Sequence, residues 1–211
     1  MTTDTVVRGR ASALQIIKPL VFAAALTPAA LLVYGFYTND LTANPLDYIT
    51  DQTGTWALAF LVISLSVTPL RRLTGWNPII KLRRMLGLFS FFYALLHMLT
   101  WLVLLNFFDV NEMMKDVFER PFITIGMATF LILLALAVTS NQFSIRRLGR
   151  RWQRLHRLAY AAAIGAVIHF WWLVKEDVTE PRRWLVIVTL LLGLRAWWAW
   201  KRRVSRPATA S

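Results

Sequence analysis

The sequence predicts an all-α integral membrane protein, a six-helix bundle with both termini in the cytoplasm, formed by residues 1–211 as one domain. Three observations predict it. Hydrophobic residues make up 57% of the chain, above the share of an ordinary soluble domain. They gather in six runs near the length of about 20 residues that crosses a bilayer as a helix. The segments between the runs alternate along the chain, basic then acidic, as the loops of a multi-pass protein do. No run shows the sustained two-residue alternation of a membrane barrel. No internal repeat or low-complexity segment stands out.

The first run, residues 19–37, follows Arg8, Arg10 and Lys18 and has Pro28 in its interior, where a kink is expected. It outlasts the apolar core of a signal peptide and is read as an uncleaved helix. The loop after it holds Asp40, Asp47 and Asp51 with no Lys or Arg. The second run, 55–70, is short for a span, which calls for local thinning of the bilayer. Arg71, Arg72, Lys81, Arg83 and Arg84 follow with no acid. The third run, 85–107, leads to Asp109, Glu112, Asp116 and Glu119 mixed with Lys115 and Arg120. After the fourth, 121–139, come Arg146, Arg147, Arg150, Arg151, Arg154 and Arg157. The fifth, 158–174, precedes Lys175, Arg182 and Arg183 set against Glu176, Asp177 and Glu180. The sixth, 184–200, ends in Lys201, Arg202, Arg203 and Arg206.

All acids but Asp4 therefore share one side, and the arginine-rich segments share the other. The positive-inside rule places the arginines and both termini in the cytoplasm. The net charge of +13 is thus a topology signal, with attraction to anionic lipid as a secondary effect. Nucleic acid is not an expected partner. Tryptophans near the run ends, Trp56, Trp171, Trp172 and Trp184 outside and Trp152, Trp197, Trp198 and Trp200 inside, read as interfacial anchors. Gly87, Gly126, Gly165 and Gly193 read as helix-packing positions. The chain has no cysteine, which excludes disulfides, iron–sulfur clusters, covalently attached haem and thiol nucleophiles. No glycine-rich nucleotide motif follows a strand, so nicotinamide binding is not expected.

Ionisable groups within a bilayer are costly and mark function. Arg195 lies about a turn from the inner end of its run and is expected to snorkel. The remaining candidates are the three histidines. His97 and His169 lie well inside the third and fifth runs, which cross in the same direction. Each is about twelve residues from the inner boundary, so both sit roughly 18–20 Å deep and level with each other. No carboxylate or lysine accompanies them, which argues against a proton-coupled transporter. Two neutral imidazoles in an apolar bundle suit metal ligation, and helices that bracket a flat macrocycle favour haem. Met85 and Met98 are alternative thioether ligands. His156 lies at a helix mouth, about 20 Å further toward the cytoplasm and roughly 140° from His169 around the axis. Arg83 and Arg84 hold the matching depth on the third run, where they read as topology signals or as partners for haem propionates or a flavin phosphate. The plainer readings are a hydrogen-bonded core histidine for His97 and His169, and an interfacial residue for His156.

The blocks ANPLDYITDQTGTWAL, VTPLRR, NPIIKLRRMLGLFSFFYALLHMLT, ERPFITIGM and LAVTSNQFSIRRLGRRWQRLHRLAYAAAIGAVIHFWW span nearly the whole chain. Together they resemble the MsrQ (YedZ) family, haem-binding membrane subunits of the bacterial periplasmic methionine-sulfoxide reductase system, within the ferric-reductase-like transmembrane superfamily. The resemblance implies a multi-pass protein of the bacterial inner membrane. Its role would be to carry electrons from the quinone pool or a cytosolic flavin reductase to a periplasmic molybdopterin-containing partner, MsrP. It would be an electron-transfer subunit without a substrate-reducing site of its own. The implied cofactors are haem b, one or two, and FMN. His97, His156 and His169 match the family's haem histidines. The wider superfamily uses two histidine pairs, and here Arg83 or Arg84 stands where a fourth histidine would fall. A stand-alone ferric or cupric reductase and a haem-free scaffold are the competing readings.

Overall fold

In the computed structural model, residues 3–174 and 176–204 are described, with side chains from Gln15 onward except Arg203. Lys175 and Arg206, and the side chains of Asp4, Arg8, Arg10 and Arg203, lie outside this set. The described residues form nine α-helices: α1 Thr3–Tyr37, α2 Pro45–Thr74, α3 Leu82–Leu99, α4 Val110–Glu119, α5 Pro121–Val138, α6 Gln142–Leu148, α7 Arg150–Leu155, α8 Leu158–Leu173 and α9 Thr179–Val204. A 3₁₀ turn, Asn77–Lys81, leads into α3, and a π-helical segment, Thr100–Leu105, continues it. Five of the six expected spans form helices long and apolar enough to cross a membrane. The remaining one, α8, has 16 residues.

The second span is longer than its apolar run because capping extends it through polar residues. Asn44 accepts from the Asp47 amide, Pro45 supplies the first turn, and Asp47 faces the helix dipole. At the other end Gly75 adopts φ 68°, the left-handed closure that glycine allows. Two stretches expected as loops are helical instead. Asp109 caps α4 by accepting from the Asn111 and Glu112 amides, and Val110, Met113, Met114, Val117 and Phe118 then fall at helical spacing. Asn141 caps α6 through the Ser144 amide.

The core lies between α2 and α3, with α1, α8 and α9 against it. Phe60 and Tyr93 stack with ring centroids 5.4 Å apart, Phe89 lies tilted against Phe60, and Phe92 meets Phe89 and Tyr93 edge-on. Trp56 joins this cluster, 6.4 Å from Tyr93, so it packs inward as well as marking a boundary. Fully buried Ser90 donates to the Ala57 carbonyl at 2.8 Å. In lipid, small residues govern close approach. Between α5 and α8 that role falls to Gly165, where an added Cβ would collide with Thr129 Oγ1. Gly193, expected at a helix contact, faces open space.

Two ties between helices lie beside prolines. Pro28 interrupts α1, and in the same turn the Tyr93 hydroxyl is spliced into the ladder. It donates to the Ala25 carbonyl at 2.7 Å and accepts from the Ala29 amide at 3.0 Å, the two groups that would otherwise bond each other. Pro69 in α2 has no N–H to offer the Leu65 carbonyl. Arg195 Nη2 donates to that carbonyl, and Nη1 donates to the Tyr160 hydroxyl at 2.8 Å. Arg195 therefore does not snorkel. It turns inward because a proline elsewhere leaves an acceptor unmatched.

Candidate functional site

His97 and His169 end up side by side. Their ring centroids are 6.0 Å apart with planes at 81°. They line a cavity of about 880 Å³ bounded by α2, α3, the π segment, α4, α5 and α8. His97 Nδ1 lies 2.8 Å from the Thr50 carbonyl, and His169 Nδ1 lies 2.7 Å from the Phe122 carbonyl. A carbonyl only accepts, so each Nδ1 carries the proton and each Nε2 keeps its lone pair. That is the arrangement in which a second-shell acceptor orients an imidazole for a metal.

Room for the rings comes from glycine. A Cβ on Gly54 would stand 3.0 Å from the His97 ring, and one on Gly126 would stand 2.8 Å from the His169 ring. A methyl group at Gly126 would be too close to the ring, and one at Gly54 would force the His97 ring to shift by a few tenths of an ångström. Gly126 was expected at a helix contact and is one, with the ligand candidate as its neighbour.

The two halves of this site repeat each other. Positions 50, 54 and 97 map by one constant offset onto 122, 126 and 169, giving the same carbonyl, glycine and imidazole twice. Leu61 with Leu133, and Ala94 with Ala166, continue the match along the cavity wall. The hairpin of α2 and α3 thus faces a counterpart built from α5 and α8. This corrects the expectation that no internal repeat exists.

The same offset pairs Arg84 with His156. Neither lines the cavity. His156 Nε2 lies 3.1 Å from Thr139 Oγ1, and its ring stacks on Trp152 at 4.0 Å. Burial, with the nearby Arg83 charge adding to it, holds its imidazole below the ordinary histidine range. Arg84 is exposed. Arg83 is half-buried, and its carbonyl accepts from Ser64 at 2.9 Å. Of the alternative ligands, Met98 lines the cavity, whereas Met85 packs against the core.

Charge is segregated along the bundle. Asp47, Asp51, Asp109, Glu112 and Asp116 line one mouth of the cavity. Arg120, the one Lys or Arg among the lining residues, is paired with Asp116 at 3.1 Å. At the opposite end Arg195 lies within the fields of Arg83 and Arg72.

The size and lining of the cavity suit a flat apolar macrocycle. Both imidazoles face one cavity with Nε2 unprotonated, as residues that would hold a metal must. Its volume falls in the range of cofactor pockets. Its walls are apolar, with Leu58, Leu61, Phe130 and Leu133 among them.

Comparisons with known proteins agree with this chemistry. The family described as "Ferric reductase like transmembrane component" matches residues 53–167. The chain is 50% identical over 200 residues to the "Protein-methionine-sulfoxide reductase heme-binding subunit MsrQ" of Herminiimonas arsenicoxydans, covering 93% of this chain and 92% of that one. It is 46% identical over 191 residues to the protein of the same description from Ralstonia nicotianae, covering 89% and 88%. Another, from Xanthomonas euvesicatoria pv. vesicatoria, is 46% identical over 199 residues, covering 92% and 90%. No solved structure matches the chain.

Proposed function

This chain belongs to the MsrQ family of ferric reductase-like transmembrane components, and on that premise we propose that it carries electrons across the bacterial inner membrane through haem b. The observation behind the proposal is the pair of Nδ1-braced imidazoles, 6.0 Å apart, in the lining of one cavity with apolar walls. His97 and His169 are the residues that would hold the haem iron. Haem supplies one-electron chemistry when bound. The protein's part is to fix both imidazoles, exclude water with the aliphatic and aromatic walls, and so set the potential.

His156 stays outside this pair, since a second haem there would have to break its contact with Thr139. One haem per chain is therefore the favoured stoichiometry. FMN enters from the family resemblance, and Arg83 and Arg84 at the basic end supply the charge a flavin phosphate would seek. The proposed topology has six crossings, with α8 as the fifth, and both termini in the cytoplasm. At ~1.5 Å per residue the 16 residues of α8 span about 24 Å, enough for a bilayer thinned against the neighbouring α5. The acid-lined mouth then opens to the periplasm, where the molybdopterin-containing reductase MsrP would take electrons. The quinone pool or a flavin reductase would supply them from the other side.

A reduced-minus-oxidised spectrum of the purified protein tests the proposal. It is expected to show b-type bands that vanish in His97→Ala and in His169→Ala. A purified protein without haem absorbance would end it. The family description also keeps a stand-alone ferric reductase in view. That reading requires metal reduction by membranes lacking any periplasmic partner.

A further inference from the structure

Helix α4 carries an apolar stripe that none of the described residues covers. Val110, Met114 and Phe118 recur every four residues along one face and are 65%, 49% and 78% exposed. Phe108, next to the cap residue Asp109, is exposed as well. At ~100° per residue, Glu112 and Asp116 fall on the opposite face, where they line the cavity mouth. The helix thus turns its acids to the mouth and its apolar residues away from it.

Short tethers fix the height of this stripe. Residues 106–109 separate the π-helical segment from α4, and Arg120 alone separates α4 from α5. A residue of extended chain spans at most ~3.6 Å, so Phe118 stays close to Pro121, where a helix able to cross the membrane begins. At the other end Phe107 and Phe108 both adopt left-handed backbone, φ 47° and 60°, a conformation rare for bulky residues. The pair turns the chain out of its span. There the Phe108 amide donates to the Leu102 carbonyl at 3.1 Å, and the Asp109 amide to the Asn106 carbonyl at 2.8 Å. Tied to a span at each end, α4 is held at the bilayer boundary.

The chemistry of the patch selects what covers it. Three residues before Phe108, Leu105 is exposed on the spanning segment itself, so lipid-facing surface leads along the chain into the stripe. A protein partner or a second copy would need ~800 Å² from each side, more than four side chains beside a ten-residue helix present. Basic residues draw many interfacial helices to anionic lipid. Here Lys115 stands against Glu112, Asp116 and Glu119, so the contact is apolar and its occupant is acyl chain.

We infer that α4 is an interfacial anchor, with Phe108, Val110, Met114 and Phe118 inserted among the acyl chains of the leaflet on the acid-lined side. Insertion fixes the rotation of the helix about its own axis. Glu112 and Asp116 are thereby kept at the cavity mouth, which retains its negative rim. The inference rests on the chain's place in the membrane and not on the haem site.

The chain has no cysteine, so single cysteines can carry nitroxide labels in the full protein, reconstituted into phosphatidylcholine vesicles. Met114→Cys and Phe118→Cys report the stripe, and Lys115→Cys and Glu119→Cys report the polar face. Leu131→Cys, exposed midway along α5, calibrates acyl depth. Collisions with oxygen, which partitions into acyl chains, are compared with those of a water-soluble nickel chelate. Oxygen is expected to lead at positions 114, 118 and 131, and the chelate at 115 and 119. The chelate leading at 114 and 118 would overturn the inference and leave the stripe to a protein partner. Oxygen leading at 115 and 119 would overturn the orientation. Wild-type protein gives a check that needs no substitution. In vesicles containing phosphatidylcholine with a diazirine on its acyl chain, photolysis is expected to label α4 peptides. Unlabelled α4 beside labelled α5 would overturn the anchor. Haem absorbance, read on the same samples, separates failure of the proposed function from failure of the anchor.

Discussion

His97 and His169 are made ligand-like by groups with no side-chain identity. The carbonyls of Thr50 and Phe122 set the tautomers, and the missing Cβ atoms of Gly54 and Gly126 admit the rings. Gly126→Ala is therefore expected to cost more haem than Gly54→Ala, since its Cβ would stand 2.8 Å from the ring against 3.0 Å. Loss of such support lowers metal-site affinity by about 10–100-fold, readable as haem per polypeptide. His156 gives a second expectation. Its depressed basicity means the unfolded chain takes up a proton more readily than the folded one. Stability from this group is complete above pH ~6.5 and is lost as pH falls below that value. Thermal unfolding in detergent at pH 7.5 and 5.5 should show a smaller acid penalty in His156→Gln, and an unchanged penalty would contradict this. The histidines themselves were legible as isolated polar groups in apolar runs. Their bracing was not, because a backbone carbonyl leaves no mark in a sequence and Gly54 looked like any other glycine.

Among the helices, the gap left by Pro69 and its compensation come from distant parts of the chain. The Leu65 carbonyl freed by Pro69 takes a donor from Arg195. Arg195→Met should therefore destabilise the protein by about 1–3 kcal/mol in the native background. Restoring the backbone N–H with Pro69→Ala should make the same substitution measurably milder. A double-mutant cycle in thermal or denaturant unfolding reads the coupling, and strict additivity would contradict the pairing. Tyr93→Phe removes both bonds spliced into α1 and should loosen that helix, seen as faster amide exchange around Ala25–Ala29. The long apolar runs were legible because lipid demands them. Helices α4, α6 and α7 were not, since short polar helices depend on caps such as Asp109 and Asn141 more than on apolar periodicity. Arg195 misled for the opposite reason. Snorkelling is what a lone arginine does, and only the fold reveals an acceptor waiting inside.

For the whole molecule, the alternating loop charges foretold the segregation seen in three dimensions, with acids at the cavity mouth and arginines at the far end. The paired hairpins escaped notice because their equivalent positions share little beyond histidine, glycine, alanine and leucine. Such residues are common in any membrane helix, and the repeat resides in backbone placement. The absence of native cysteine suits topology mapping. Cysteine introduced at Glu176 should react with an impermeant maleimide from the periplasm, and one at Arg150 only from the cytoplasm. The reverse pattern, or labelling of both from one side, would refute six crossings. The single-haem reading comes down to haem per polypeptide in the wild type and in His97→Ala, His169→Ala and His156→Ala. One haem in the wild type, lost with either His97 or His169 and kept without His156, is the expected result. A haem retained in full without His97 or without His169 would contradict it.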